Sequence, residues 1–225
     1  MSGSLERIDV TRWYVYDELV EILHNWVNAF PALTALESIG KSHEGRDIWV
    51  LTVTNQETGA AGDKPALYVD ANIHAGEVTG CSVVIHTIDE LLHGYGQDET
   101  ITALLDTRTF YFAPRVQPDG VERFLTTPYS LRSSVRPWPF EEEDAGLTPE
   151  DVNGDGIISQ MRVRDPNGEW KISERDARLM VKRRPDELNG DFYRIFTEGM
   201  LKDHRGGPVK LARPLLGLDQ NRNWP

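Results

Sequence analysis

Residues 66–92 constrain this chain more than any other stretch. Ala66-Leu67-Tyr68-Val69 reads as a short buried strand. Val78, Cys81, Val84, Ile85, Ile88, Leu91 and Leu92 then recur at three- and four-residue spacing and form the apolar face of a helix, which His93-Gly94 closes. Between them, Asn72-Ile73-His74-Ala75-Gly76-Glu77 must make the turn. A strand feeding a helix through a polar turn is the unit of sheets covered by helices, and in such sheets ligands collect beyond the carboxyl ends of the strands. His74 stands at that kind of position. A histidine and a glutamate three residues apart can face one point, and zinc takes nitrogen and oxygen ligands at about 2.0–2.2 Å. The pair alone is weak evidence, because a surface histidine near a helix start, with Glu77 favoured by the helix dipole, is the better account of it taken by itself.

The flanking sequence supplies the rest of an α/β layer. Leu19, Ile22, Leu23, Trp26, Val27 and Phe30 predict a helix over Tyr16–Phe30, stopped by Pro31. Thr34–Lys41 and Arg46–Thr54 read as two strands joined at His43-Glu44-Gly45, the second apolar on both faces and therefore covered. Asn55–Lys64 is a polar loop, Thr100–Leu105 a short helix and Thr107–Val116 a strand whose end Pro114 weakens. The expected fold class is α/β, with a mixed, mostly parallel sheet flanked by helices.

Composition removes several function classes. Of 225 residues, 39% are hydrophobic and 27% charged, enough for a sizeable core, and the formal net charge of −12 speaks against a nucleic-acid partner, which needs concentrated basic surface. No apolar run approaches the ~18 residues that cross a bilayer, so no membrane partner is expected. The first residues carry no apolar signal core, and the lone cysteine, Cys81, reads as an inert core thiol; together these predict a cytoplasmic setting.

Three further motifs give the His74–Glu77 pair company: Ile39-Gly40-Lys41-Ser42-His43-Glu44-Gly45-Arg46, Gln117-Pro118-Asp119-Gly120 and Leu218-Asp219-Gln220-Asn221-Arg222-Asn223-Trp224. In this order the four segments resemble the zinc carboxypeptidase family of metallopeptidases. The resemblance covers roughly residues 14–132 and 213–225. It implies zinc as cofactor, His74 and Glu77 as two of its ligands, and Asp219 as the carboxylate that orients a ligand histidine. It also implies that Asn221 and Arg222 hold a peptide's terminal carboxylate, a task for which the planar guanidinium fork is suited. Arg132, placed by its spacing after Pro118-Asp119-Gly120, takes the role of polarising the scissile carbonyl; Arg136 is the competing assignment. Pro118-Asp119-Gly120 itself reads as a tight turn.

The resemblance also marks departures. Peptidase members commonly carry arginine where this chain has Gly76, and glycine there is closer to subgroups that include cytosolic carboxypeptidases and acyl-amino-acid hydrolases. In the family a third zinc ligand (a histidine), a lid tyrosine and a catalytic glutamate follow the Asn-Arg pair. His24, His43, His86, His93 and His204 lie outside the context of that ligand, so the domain is expected to be incomplete at its C-terminus. The predicted organisation is residues 1–136 as the N-terminal part of a carboxypeptidase-like domain, 137–212 as an insertion, and 213–225 as the return to that domain. Within the insertion Asp151, Asn153 and Asp155, followed by Gly156, match the first half of a calcium loop, although position twelve is Arg162; an Asn-Gly/Asp-Gly turn between strands explains the same residues. The expected activity is removal of C-terminal residues from peptides. The alternatives are a zinc-dependent deacylase acting on an acylated small molecule, and a silent module that binds terminal carboxylates. Hydrolysis abolished by chelation separates the enzymes from the silent module.

Overall fold

The computed structural model describes residues 5–136, 146–210 and 217–223. The chain forms two compact units, Met1–Glu141 with Leu215–Pro225, and Glu142–Pro214.

In the first unit helix α1 spans Tyr16–Ala29. The Val15 N–H donates to the Glu18 carboxylate at 3.0 Å, closing the first turn, and Leu19, Leu23 and Trp26 form its buried stripe. Strands β1 (Thr34–Lys41) and β2 (Asp47–Val53) make an antiparallel hairpin, turned at Gly45 with φ +86°, a left-handed conformation that glycine adopts without a side-chain clash. Strand β3 (Ala66–Asp70), helix α2 (Thr79–Gly94), helix α3 (Glu99–Thr107), strand β4 (Thr109–Ala113) and helix α4 (Pro118–Thr126) complete the unit. The sheet order is β1-β2-β4-β3. β2 runs antiparallel to β4 and β3 parallel to it, so the sheet is mixed and helices pack on it. Its core joins Leu23 and Trp26 of α1, Leu51 and Val53 of β2, Ile85, Ile88 and Leu92 of α2, Leu105 and Phe112.

Two sequence expectations are corrected. β3 is not buried: Leu67 and Tyr68 are 55% and 53% exposed. Its apolar run is genuine, but among the described residues it has β4 on one side and no strand on the other. Pro118-Asp119-Gly120 is not a free-standing turn but the first turn of α4, with Pro118 where its missing N–H costs nothing and Gln117 capping Gly120 N–H at 3.2 Å.

The second unit is built of short strands: β5 (Gly146–Pro149), β6 (Gln160–Arg164), β7 (Trp170–Ile172), β8 (Met180–Lys182), β9 (Tyr193–Thr197) and β10 (Gly199–Lys202). β5 pairs with β10, and the remaining four form a sheet ordered β6-β9-β7-β8. The buried Glu198, between β9 and β10, accepts from the N–H groups of Val152, Asn153 and Ser159 and from the Ser159 hydroxyl, which pins the loop before β6. Among the described residues no helix is long and apolar enough to cross a membrane.

Candidate metal and substrate site

β3 and β4 run parallel in register and end together, Asp70 opposite Ala113. The two segments that follow stay joined: Ala71 N–H donates to Ala113 O at 3.0 Å, and Val116 N–H to Ala71 O at 3.0 Å. The turn after β3 is then bent by Asn72, whose φ of +58° is a left-handed conformation that asparagine tolerates and whose side-chain amide donates to Glu77 O at 2.8 Å. This places His74 and Glu77 just ahead of α2, beyond the carboxyl end of β3.

His74 is 5% exposed. Its Nδ1 lies 3.0 Å from Glu77 Oε1, and its Nε2 lies 3.2 Å from Asp219 Oδ1 and 3.2 Å from a terminal nitrogen of Arg132. The Arg132 guanidinium also stands 3.9 Å from both Glu77 and Asp219. Nε2 can serve only one neighbour at a time: protonated, it donates to Asp219; bare, it accepts from Arg132. Burial pushes the Asp219 carboxyl up, but the hydrogen bonds from His74 and from Asn221 N–H, with the charges of His74 and Arg132, outweigh it and hold the group below its ordinary value. Asp219 reaches His74 because residues 217–219 return beside 134–136. Leu218 N–H donates to Arg136 O at 3.0 Å, and at Gly217 (φ +59°) an added Cβ would come within 1.7 Å of Ser134 O.

The sequence-predicted residues therefore divide. His74, Glu77, Arg132 and Asp219 meet, and Asn221 joins them through its backbone N–H, which donates to Asp219 Oδ1 at 3.0 Å. Arg222, in the one-turn 3₁₀ helix Gln220–Arg222, is exposed and donates to Asn221 O at 3.0 Å rather than to His74, Glu77, Arg132 or Asp219. Sequence reasoning missed the role of Asp119, which accepts from Ser42, Glu44 and Arg46. The pairing joins two of the sequence motifs, residues 39–46 and 117–120.

A family model described as zinc carboxypeptidase matches residues 19–225. The chain belongs to the zinc carboxypeptidase family. A zinc carboxypeptidase of Saccharothrix mutabilis subsp. capreolus is 32% identical over 128 residues, covering 57% of this chain and 28% of that protein. Carboxypeptidase A2 of Rattus norvegicus is 34% identical over 115 residues, covering 51% of this chain and 26% of that protein. The structure of bovine thrombin-activatable fibrinolysis inhibitor in complex with tick carboxypeptidase inhibitor superposes at a TM-score of 0.49 and 21% identity, over 60% of this chain and 40% of that one. The chain thus spans little more than a quarter of the length of the two curated relatives.

The donor chemistry, an imidazole nitrogen and a carboxylate oxygen, is of the kind zinc takes, but His74 Nδ1 and Glu77 Oε1 stand at a hydrogen-bond separation of 3.0 Å, shorter than the about 3.3–3.6 Å edge of a tetrahedral site with bonds of about 2.0–2.2 Å. Among the described residues no group of three or more histidine, cysteine, aspartate or glutamate side chains is arranged to hold a metal. The calcium expectation gains no support. In the Asp151–Gly156 loop the Asp151 carboxylate is taken up by the N–H groups of Gly154, Asp155 and Gly156. Position twelve is Arg162 on β6, a cation where that pattern needs a carboxylate.

Proposed function

We propose that this chain supplies part of the active site of a zinc metallocarboxypeptidase that trims C-terminal residues from peptides. His74 Nδ1 and Glu77 are its zinc ligands, Asp219 orients the imidazole, Arg132 stabilises the oxyanion formed at the scissile carbonyl, and Asn221 with Arg222 holds the terminal carboxylate. The His74 ring carries this reading: one nitrogen faces a potential co-ligand, and the other faces a carboxylate that selects the tautomer free to bind metal. Zinc, when bound, acts as a Lewis acid on the substrate carbonyl and activates water. With Nε2–H given to Asp219, Arg132 is released from the ring. Its half-exposed side chain can then turn toward a bound carbonyl oxygen. Arg132 is preferred to Arg136 because its guanidinium reaches His74. We read residues 137–212 as an insertion that interrupts this domain; the separate compact unit Glu142–Pro214 and the return of Leu218 to Arg136 support that reading. The deacylase and silent-module readings are not favoured, since the relatives matched are named carboxypeptidases.

Calorimetric zinc titration tests the assignment. With two protein ligands the 225-residue chain binds zinc weakly; His74→Ala abolishes binding, and Asp219→Ala weakens it about 10–100-fold, the usual cost of losing an outer partner of a ligand histidine. Stoichiometric binding that survives His74→Ala would overturn it.

A further inference from the structure

Asp119 is 2% exposed, and its carboxylate is gripped by one distant hairpin turn. The Ser42 hydroxyl donates to it at 2.7 Å, Glu44 N–H at 2.9 Å and Arg46 Nη1 at 2.9 Å. Arg46 N–H in turn donates to Ser42 Oγ at 2.9 Å, so the turn is braced from inside as well. A buried carboxylate held by a guanidinium is strongly destabilising when one partner is removed, because a charge is left unpaired.

The residue after Asp119 is wedged against the candidate site. A Cβ at Gly120 would lie 2.8 Å from the Ala75 side chain and 2.8 Å from Ser133 O. Ala75 follows His74 and Ser133 follows Arg132. The two segments are joined there by one hydrogen bond, Ala75 N–H to Arg132 O at 2.7 Å. No hydrogen bond or ion pair connects Ser42, Glu44 or Arg46 to His74, Glu77, Arg132 or Asp219 among the described residues. The hydrogen bonds and the ion pair that run from the hairpin turn to α4 end on Asp119, in its first turn.

We propose that the Arg46–Asp119 lock positions the His74–Arg132 pair. By clamping the start of α4, the hairpin turn presses Gly120 into the junction of the two segments. This fixes the Ala75–Arg132 hydrogen bond and with it the direction in which His74 and Arg132 leave the backbone. Arg46 and Asp119 are positioning residues and touch no reacting atom. The consequence for metal rests on the zinc reading above; the consequence for the backbone does not.

Amide hydrogen exchange, read residue by residue with a zinc titration in parallel, tests this in Arg46→Met, Arg46→Lys and Asp119→Asn. In Arg46→Met the Ala75 amide exchanges at least about tenfold faster than in the wild type, the factor expected from losing one charge-assisted hydrogen bond. The amides of Leu51 and Phe112 in the β2–β4 ladder, which report global opening, change much less. Zinc affinity falls with Ala75 protection, and Arg46→Lys restores part of both. If Asp119→Asn fails to fold, the two Arg46 variants carry the test, since Arg46 is only partly buried. Equal acceleration at Ala75, Leu51 and Phe112 would mean that the lock merely stabilises the fold and would overturn the proposal. So would selective loosening of Ala75 with zinc affinity unchanged. Selective loosening in a protein whose wild type binds no zinc would leave the lock standing and remove the metal reading instead.

Discussion

Arg222 is the residue whose assignment depends most on what the chain binds. Its guanidinium is exposed and donates to a neighbouring carbonyl, so it is not held in the ion network around His74. A fork gripping a carboxylate contributes about 1.5–3 kcal/mol, so Arg222→Met should weaken an N-blocked dipeptide with a free C-terminus at least about tenfold. The amidated peptide should bind equally poorly to both proteins. Arg222→Lys should recover only part, because a point charge cannot reproduce two parallel N–H bonds. NMR titration of both peptides reads this, and equal losses on free and amidated forms would assign Arg222 to the fold. At this scale much was legible. The His74–Glu77 pair is legible from its spacing and Asp219 only through the family resemblance, and the structure brings the three within hydrogen-bonding distance. What no spacing could reveal is that Nε2 of His74 is contested by Asp219 and Arg132, since both partners arrive from remote segments.

Elements were legible where their periodicity was long. The buried stripe of α1 and the broad apolar face of α2 announced themselves, whereas β3 misled, because a run of apolar residues does not say how many neighbours a strand has. The short strands of Glu142–Pro214 were hidden by their charged, turn-rich sequence. There, order comes from single polar residues such as Glu198 more than from an apolar face. The Ser159 N–H and hydroxyl are the chief causes that hold the Glu198 carboxyl below its ordinary value, with the Asn153 and Val152 N–H groups adding to them. A carboxyl lowered in the folded state contributes stability that is present above its unfolded value, about 4.3, and lost as pH falls through the folded value. The melting temperature of this unit should therefore drop on acidification below about pH 4.3, and Glu198→Gln should flatten that dependence while lowering stability at neutral pH. Circular dichroism melts across pH 3–7, an illustrative range about the carboxylate value, decide it. An unchanged slope in Glu198→Gln would assign the acid sensitivity elsewhere.

Across the whole molecule, Asp219, the hydrogen-bond partner of His74 Nε2, lies 145 residues further along the chain. Closing a loop of that length costs about 4 kcal/mol in chain entropy before any contact repays it, and contacts so remote slow folding. The Glu142–Pro214 unit changes that cost: once compact, it draws its own ends in and shortens the free loop that Leu218 must close to reach Arg136. This predicts an order of events. Pulse-labelled hydrogen exchange should find the Leu218 amide protected no earlier than the amides of Met161 and Val163 in the β6–β9 ladder. Protection of Leu218 while that ladder is still open would contradict this order. If that order holds, His74 would gain its hydrogen bond to Asp219 only after the intervening unit had formed, and the pairing at the centre of the candidate site would be the last to close.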